Sequence, residues 1–293
     1  MKVSGFTFVR NAVKFDYPIV EAINSVLPLC DELIVNIGNS EDNTEELIRS
    51  IQSPKIKIHH SLWDDSLKEG GKVLAIETNK AFDNIAPDAD WCFYFQADEI
   101  IHEKYYDVIR KAMMDYLEDK RVEGLLFKYL HFYGSYDYIG DSRTWYSHEI
   151  RIIRNDKTIR SYRDAQGFRK DGRKLNVKAI DAFVYHYGWV KHPELQLQKH
   201  LRFEQLYNIN KLSDQISNEA TKAFNYAEID SLVKFGGTHP LVMQQRIKNK
   251  NWHFDFDITR KKFSMKDRLL YWVEKKTGKR LFEYRNYKIV DRE

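Results

Sequence analysis

The sequence predicts an α/β fold: a mixed, mainly parallel sheet flanked by helices, followed by a helical C-terminal extension. Three observations predict it. Short β-branched and aromatic runs alternate with amphipathic stretches from Val3 to Phe95, and strands separated by helices at such spacing form βαβ units. The last of those runs, Trp91-Cys92-Phe93-Tyr94-Phe95, stops abruptly at Gln96-Ala97-Asp98-Glu99. Two carboxylates thus stand at a strand's C-terminal end, the edge of an open α/β sheet where ligands bind. From Pro193 onward the pattern turns helical and basic.

The elements follow in order. Val3 to Val9 is a first strand. Tyr17 to Leu29 carries Ile19, Val20, Ile23, Val26 and Leu27 at helical spacing, with Asp16 as its expected N-cap. Glu32 to Ile37 is a second strand, Gly38-Asn39-Ser40 is turn chemistry, and Asp42 to Ile51 is a helix. Ile56 to Ile58 is a third strand, Val73 to Ile85 a helix, and Trp91 to Phe95 a fourth strand. Right-handed crossovers put the C-terminal ends of all four strands on one edge. Asn11, the Gly38-Asn39-Ser40 loop, Trp63-Asp64 and Asp98-Glu99 are expected to gather there. Gly124 to Tyr133, Glu149 to Arg154 and Ala182 to Tyr187 read as further strands, with long loops at 134–148 and 155–178. Loops of that length inside a compact domain are usually functional. Leu195 to Tyr207 is the strongest helical stretch of the C-terminal part.

The 293 residues are 43% hydrophobic and 31% charged, enough for one large core or for one domain with an appendage. The boundary is placed at residue 190. The 18 Tyr, 17 Phe and 6 Trp exceed ordinary core needs and suit a site that stacks bases or sugars. Cys30 and Cys92 each sit in an apolar run and read as buried thiols, which favours a reducing compartment. The N-terminal apolar run is too short for a signal peptide, and no stretch approaches the ~20 apolar residues that span a bilayer. A cytoplasmic protein is expected, either free or peripheral at the inner face of the membrane.

The net charge of +4 is unevenly spread. Residues 191–293 hold 21 Lys and Arg against 13 Asp and Glu; residues 1–190 hold 26 against 30. A basic C-terminal part is either a solvated helical surface or a face for an anionic membrane or acceptor. Met265 to Lys276 sets Leu269, Leu270, Trp272 and Val273 among basic residues, a pattern that lies on a membrane surface or packs on its own domain. Basic residues are dispersed rather than striped, and no nucleic-acid recognition motif occurs, so nucleic acid is not an expected partner.

The chemistry centres on the Gln96-Ala97-Asp98-Glu99 strand end. Hard divalent cations prefer carboxylate oxygens, and Mg²⁺ is typically held by one or two carboxylates plus substrate phosphates. The alternative is that Asp98-Glu99 open the next helix, where acids favour the first turn. His186, in Val184-Tyr185-His186-Tyr187, is either a further ligand or a buried strand histidine.

In this order the elements resemble the GT-A glycosyltransferases of the family-2 type, which build bacterial surface polysaccharides. Phe6-Thr7-Phe8-Val9-Arg10-Asn11-Ala12 is similar to that family's first strand and the Arg-Asn turn after it. Glu32-Leu33-Ile34-Val35 followed by Ser40-Glu41-Asp42-Asn43-Thr44 looks like its second strand and DDGSxDxT loop, and Gln96-Ala97-Asp98-Glu99 looks like its DxD motif. The resemblance covers about residues 3–190. Two positions depart from it: Ile37-Gly38 replaces an acidic pair, and Gln96 replaces the first DxD acid.

The resemblance implies a GT-A fold over residues 1–190 and a glycosyltransferase, inverting and dependent on Mn²⁺ or Mg²⁺. It would move a sugar from a UDP- or GDP-linked donor to a glycan or lipid-linked acceptor. It implies donor contacts at Phe8, Arg10, Asn11, Asn39, Asp64, Gln96 and Asp98, with Trp63 beside the base, and a metal held by Asp98 and His186. A general base is expected at Asp164 or Glu149, and acceptor contacts at Glu99, Trp145, Arg169 and Trp189. Arg151 and Arg154 join Arg169 as candidate phosphate or acidic-sugar contacts. Two other readings are weighed beside it. A nucleotidyltransferase usually opens on a Gly-rich loop, and residues 4–14 hold only Gly5. A catalytically degenerate homologue that binds sugar or nucleotide is suggested by Ile37-Gly38 and Gln96.

Overall fold

In the computed structural model, which describes residues 1–67, 70–207 and 223–290, the apolar runs become strands and the amphipathic runs become helices. The N-terminal half comprises β1 (Val3–Val9), α1 (Ile19–Val26), β2 (Glu32–Gly38), α2 (Thr44–Arg49), β3 (Ile56–Ser61), α3 (Lys72–Asp83), β4 (Trp91–Tyr94), β5 (Glu99–Ile101) and α4 (Tyr106–Asp115). β2 and β4 are buried along their whole length, as strands covered by helices on both faces must be. The order β3-β2-β1-β4 is parallel throughout. Its strand ends therefore share one edge, as the crossover rule requires. Asp16 does not cap α1. Pro18 holds the N-cap position, and Asp16 instead pairs with Arg246 at 2.6 Å.

The next segment supplies β6 (Gly124–Tyr133), β7 (Tyr138–Gly140), β8 (His148–Arg154), β9 (Ile159–Tyr162), β10 (Gly167–Lys170), β11 (Arg173–Lys174) and β12 (Asn176–Trp189). β8 enters antiparallel between β4 and β6, which makes the sheet mixed. β12 lies parallel to β6, and β5 pairs antiparallel with β12. The stretch 155–178 is not an open loop: β9, β10 and β11 form a separate small sheet. Its charged residues hid it. Arg160, for example, is carried outward to pair with Asp83 of α3, and a strand exposed on one face shows little apolar signal.

The chain then forms α5 (Pro193–Tyr207), β13 (Leu232–Lys234), α6 (Gln244–Lys248), α7 (Met265–Thr277) and β14 (Lys288–Ile289). β13 pairs with β7 and β14 with β12. The chain after residue 190 therefore returns to the sheet.

Two hydrophobic layers sandwich the sheet. Ile19, Ile23, Val26, Phe93, Ile109 and Met113 fill one. Phe6, Ile34, Phe82, Cys92, Tyr94 and Phe168 fill the other. Cys30 and Cys92 are both free and buried, and burial pushes both thiols far up. No helix among the described residues is long and apolar enough to cross a membrane.

Candidate active site

The shared edge is built from loops that clamp one another. Asn11 follows β1 with φ 56°, a left-handed conformation that Asn adopts more readily than most residues. From there its Oδ1 accepts the Glu41 N–H at 2.7 Å, and its own N–H donates to Ser40 Oγ at 3.0 Å. After β3, the Trp63 N–H donates to Asn39 Oδ1 at 3.2 Å. The indole then lies over Gly38, where a Cβ would come within 2.3 Å of Trp63 Nε1. Glycine at this position thus makes room for a flat aromatic surface. Phe8 packs beside it with ring centroids 5.8 Å apart.

Phe8, Arg10, Asn11, Trp63, Gln96 and Asp98 line one side of a cleft of about 270 Å³. Asp164, Arg202, Phe203 and Tyr207 line the other. Trp63 Nε1 has no hydrogen-bond partner although it is buried, so one donor is left over in the cleft wall. At the mouth, Arg10 and Arg202 both donate to Asp65, at 2.8 and 2.6 Å. Arg10 also lies 5.6 Å over the Trp63 ring. These two guanidinium groups already gather one carboxylate, and guanidinium geometry suits phosphate equally well.

Asp98 sits at the back of this cleft. It also lines a second, adjoining cleft of about 220 Å³ with His186, Trp189, Gln196, Lys199 and His200. Asp98 Oδ2 accepts from Lys199 Nζ at 3.0 Å, and His186 Nε2 is 3.7 Å from Asp98 Oδ1. Burial opposes ionisation of Asp98. The ammonium of Lys199, helped by Lys191, outweighs that penalty and holds the carboxyl well below its usual range. Lys191 is fully buried, with Nζ 2.5 Å from the Asp16 carbonyl. Desolvation, with the like charge of Lys199, pushes its pKa down to about 7.

Among the described residues no three His, Cys, Asp or Glu side chains converge as a metal site, so Asp98 and His186 are a pair. The space between them is nevertheless kept open. A Cβ at Gly188 would lie 2.7 Å from His186 Nε2 and 2.8 Å from Asp98 Oδ2. One carboxylate and one imidazole fit a divalent cation that completes its shell with phosphate and water.

His186 is oriented from behind. His131 lies opposite it on β6, and the two Nδ1 atoms are 3.1 Å apart. His131 Nε2 is 2.8 Å from the Tyr146 carbonyl, and its ring is stacked between Tyr129 and Trp145.

Asp164 reaches the cleft from the β9–β10 turn. Its neighbours Arg163 and Ala165 have φ of 55° and 64°, a strained arrangement for non-glycine residues of the kind found at functional sites. Its carboxylate accepts the Tyr207 hydroxyl at 3.0 Å.

Several expected site residues lie elsewhere. Glu99 is 1% exposed, held by two 2.7 Å bonds from Arg151 and one of 2.8 Å from Tyr129. It also accepts the Gln96 N–H at 3.1 Å, so it braces the Asp98 turn and cannot meet an acceptor. Glu149 is buried behind the cleft and lines neither cavity. Desolvation, against the pull of Arg151, raises its carboxyl to about 8. Trp145 packs on His131 and covers Gly140. Arg169 donates to the Asn286 carbonyl and lies over Tyr162. Arg154 lies over Trp91 and binds carbonyls at the end of α4. Asn39 supports Trp63 and Arg10 from outside the cleft. Asp64 caps its own turn at Ser66, and Asp65 beside it makes the arginine contacts.

The sequence reading missed Lys199, Arg202, Tyr207 and His131. Three of them carried a signal. Lys199, Arg202, Phe203 and Leu206 recur at helical i, i+3, i+4, i+7 spacing, which marks one face of α5. His131 alternates with Tyr129 and Tyr133 on one face of a strand.

No protein-family model matches the chain, and no curated protein does. Among solved structures it is similar to Staphylococcus aureus TarS, at 17% identity and TM-score 0.38, over 69% of this chain and 39% of that one. It is similar to 4-diphosphocytidyl-2C-methyl-D-erythritol synthase of Anaerococcus prevotii, at 10% identity and TM-score 0.34, over 53% and 70%. It is also similar to glucosyl-3-phosphoglycerate synthase of Mycobacterium tuberculosis in complex with Mn²⁺, UDP and phosphoglyceric acid, at 19% identity and TM-score 0.30, over 45% and 43%. Likeness this distant carries no argument about activity.

Proposed function

We propose that the chain is a nucleotide-sugar glycosyltransferase that uses a divalent cation. The observation that carries this reading is the convergence of Asp98 and His186 on the gap at Gly188, at the back of a cleft with an aromatic and a cationic wall. Phe8 and Trp63 offer stacking surface for a base, and Arg10 and Arg202 offer charge for a diphosphate. Asp98 and His186 would hold Mn²⁺ or Mg²⁺, which as a Lewis acid stabilises a diphosphate leaving group.

The protein's own residues complete the reaction. The acceptor, a glycan or a lipid-linked sugar, enters by the second cleft, which Trp189 lines. The buried Gln196 Oε1 there has no partner. An acceptor hydroxyl attacks the anomeric carbon as the bond to the diphosphate breaks. The hydroxyl reaches past Asp98, which lines both clefts, to Asp164 on the wall of the first; Asp164 takes its proton, and attack opposite the leaving group inverts the centre. Lys199 neutralises Asp98 when the cation is absent.

A hydrolysis screen of common nucleotide sugars with Mn²⁺ tests this reading without an acceptor. Release of UDP or GDP from one donor, lost in Asp98→Asn, is expected. Two observations favour a second reading, a non-catalytic nucleotide- or sugar-binding relative: Lys199 already occupies an oxygen of Asp98, and Gln96 adds no charge. Tight binding of a nucleotide sugar without turnover, even with acceptor extracts, would establish that reading instead.

A further inference from the structure

Helix α7 packs through one side only. Tyr271 reaches Asp141 at 2.6 Å, and Glu274 receives Arg143 at 2.8 Å. The opposite side carries Met265, Leu269 and Trp272, which are 90%, 62% and 58% exposed. Their spacing of four and three residues puts them in one stripe along the helix. Burying three large apolar side chains is favourable, so leaving such a stripe in water calls for an occupant.

The surrounding charge identifies the occupant's chemistry. Residues 260–288 hold 11 Lys and Arg against 3 Asp and Glu. Lys276 continues the apolar stripe, Arg268 and Lys275 flank it on one side, and Lys266 flanks it on the other. No ion pair engages Lys266, Arg268, Lys275, Lys276 or Lys279 among the described residues. Past the Gly278 cap, Phe282 is 89% exposed at φ 59°, and Tyr284 is 68% exposed. Leu, Trp and Met on the outward face, with long cationic side chains on both flanks, is the geometry of a helix that lies in a membrane interface. There the cations meet anionic headgroups while the apolar stripe enters the acyl boundary.

We propose that the outward face of α7, with the Gly278–Arg285 turn, docks the protein on an anionic lipid surface. Docking through this face does not depend on the reaction in the cleft. A bilayer partner would also bring a lipid-linked acceptor to the enzyme in two dimensions.

Sedimentation of the full chain with phosphatidylcholine vesicles, with and without phosphatidylglycerol, tests it. Binding to the phosphatidylglycerol vesicles is expected, with loss in high salt and little binding to phosphatidylcholine alone. Lys275→Glu and Lys276→Glu each weaken binding about fivefold or more. Trp272→Glu abolishes it, with the melting temperature and nucleotide binding of the cleft unchanged. Equal binding to both vesicle types, or none to either, would overturn the proposal. Self-association that Trp272→Glu abolishes, without vesicle binding, would assign the face to a second copy of the chain instead.

Discussion

His131 and His186 meet across two parallel strands with their Nδ1 atoms 3.1 Å apart, and this contact fixes which nitrogen of His186 faces Asp98 with a lone pair. The Tyr146 carbonyl can only accept, so His131 Nε2 carries a hydrogen. Neither partner of His131 is an anion, and burial holds its imidazole well on the neutral side. Its Nδ1 therefore accepts, His186 Nδ1 donates, and His186 Nε2 is left free to coordinate. Metal-ligating histidines generally use their second nitrogen in this way. In ¹⁵N spectra of the metal-free protein, His186 is expected as the Nδ1–H tautomer and His131 as the Nε2–H tautomer. His131→Asn keeps an acceptor near the Nδ1 position and preserves Mn²⁺ affinity within a few fold. His131→Phe loses about 10–100-fold. An Nε2–H tautomer at His186 would contradict the assignment.

The Glu99–Arg151 pair is structural. Both side chains are 1% exposed, and their two bonds are 2.7 Å long. Removing one partner leaves a buried uncompensated charge, so Arg151→Met should cost about 3–5 kcal/mol in urea unfolding. The double variant Glu99→Gln with Arg151→Met should cost less than the sum of the single changes. A loss below about 1 kcal/mol for Arg151→Met would show that the pair is not the brace.

Glu149 makes stability depend on pH in a defined direction. Its carboxyl titrates at about 8 in the folded chain against an ordinary 4.5. Between those values the folded state keeps a proton that the unfolded state has lost. Stability therefore falls as pH rises through that window, by roughly 1.4 kcal/mol per unit for this group, and is level above it. Glu149→Gln removes this slope. Relative to wild type, the variant gains stability steadily from pH 5 to pH 8. Comparing the two cancels other groups, such as Lys191, that titrate alike in both. Parallel stability curves would contradict the buried, neutral carboxyl.

Trp63 needs Gly38 beneath it. A methyl group there meets the indole at 2.3 Å, so Gly38→Ala displaces the ring at an overpacking cost of about 1–3 kcal/mol. Gly38→Ala and Trp63→Ala should weaken UDP binding by similar factors. The double variant should be little worse than either, as expected for two changes to one surface. Additive losses would place the nucleotide base elsewhere.

The sequence made the parallel half of the sheet legible because buried strands under helices read as unbroken apolar runs, as in β1, β2 and β4. It also placed Asn11, Trp63 and Asp98 on one edge, since crossover handedness leaves no other arrangement. It did not reveal the β9–β11 sheet, whose arginines mask the alternation. Nor could it show that Glu99, expected at the acceptor, is a buried brace, since local pattern treats adjacent acids alike. Only Arg151, fifty-two positions away, decides that one is buried as a brace while the other faces the cleft. Lys199 lay beyond reach for the same reason, because its role depends on α5 folding back over the strand ends.

Titrating UDP and GDP into the protein with and without Mn²⁺ shows whether Asp98 and His186 hold a divalent cation against a nucleoside diphosphate. One of the two should bind much more tightly with Mn²⁺ present, and Asp98→Asn and His186→Ala should each remove that difference. Binding of both nucleotides that is indifferent to Mn²⁺, or a Mn²⁺ effect that survives Asp98→Asn, would contradict it.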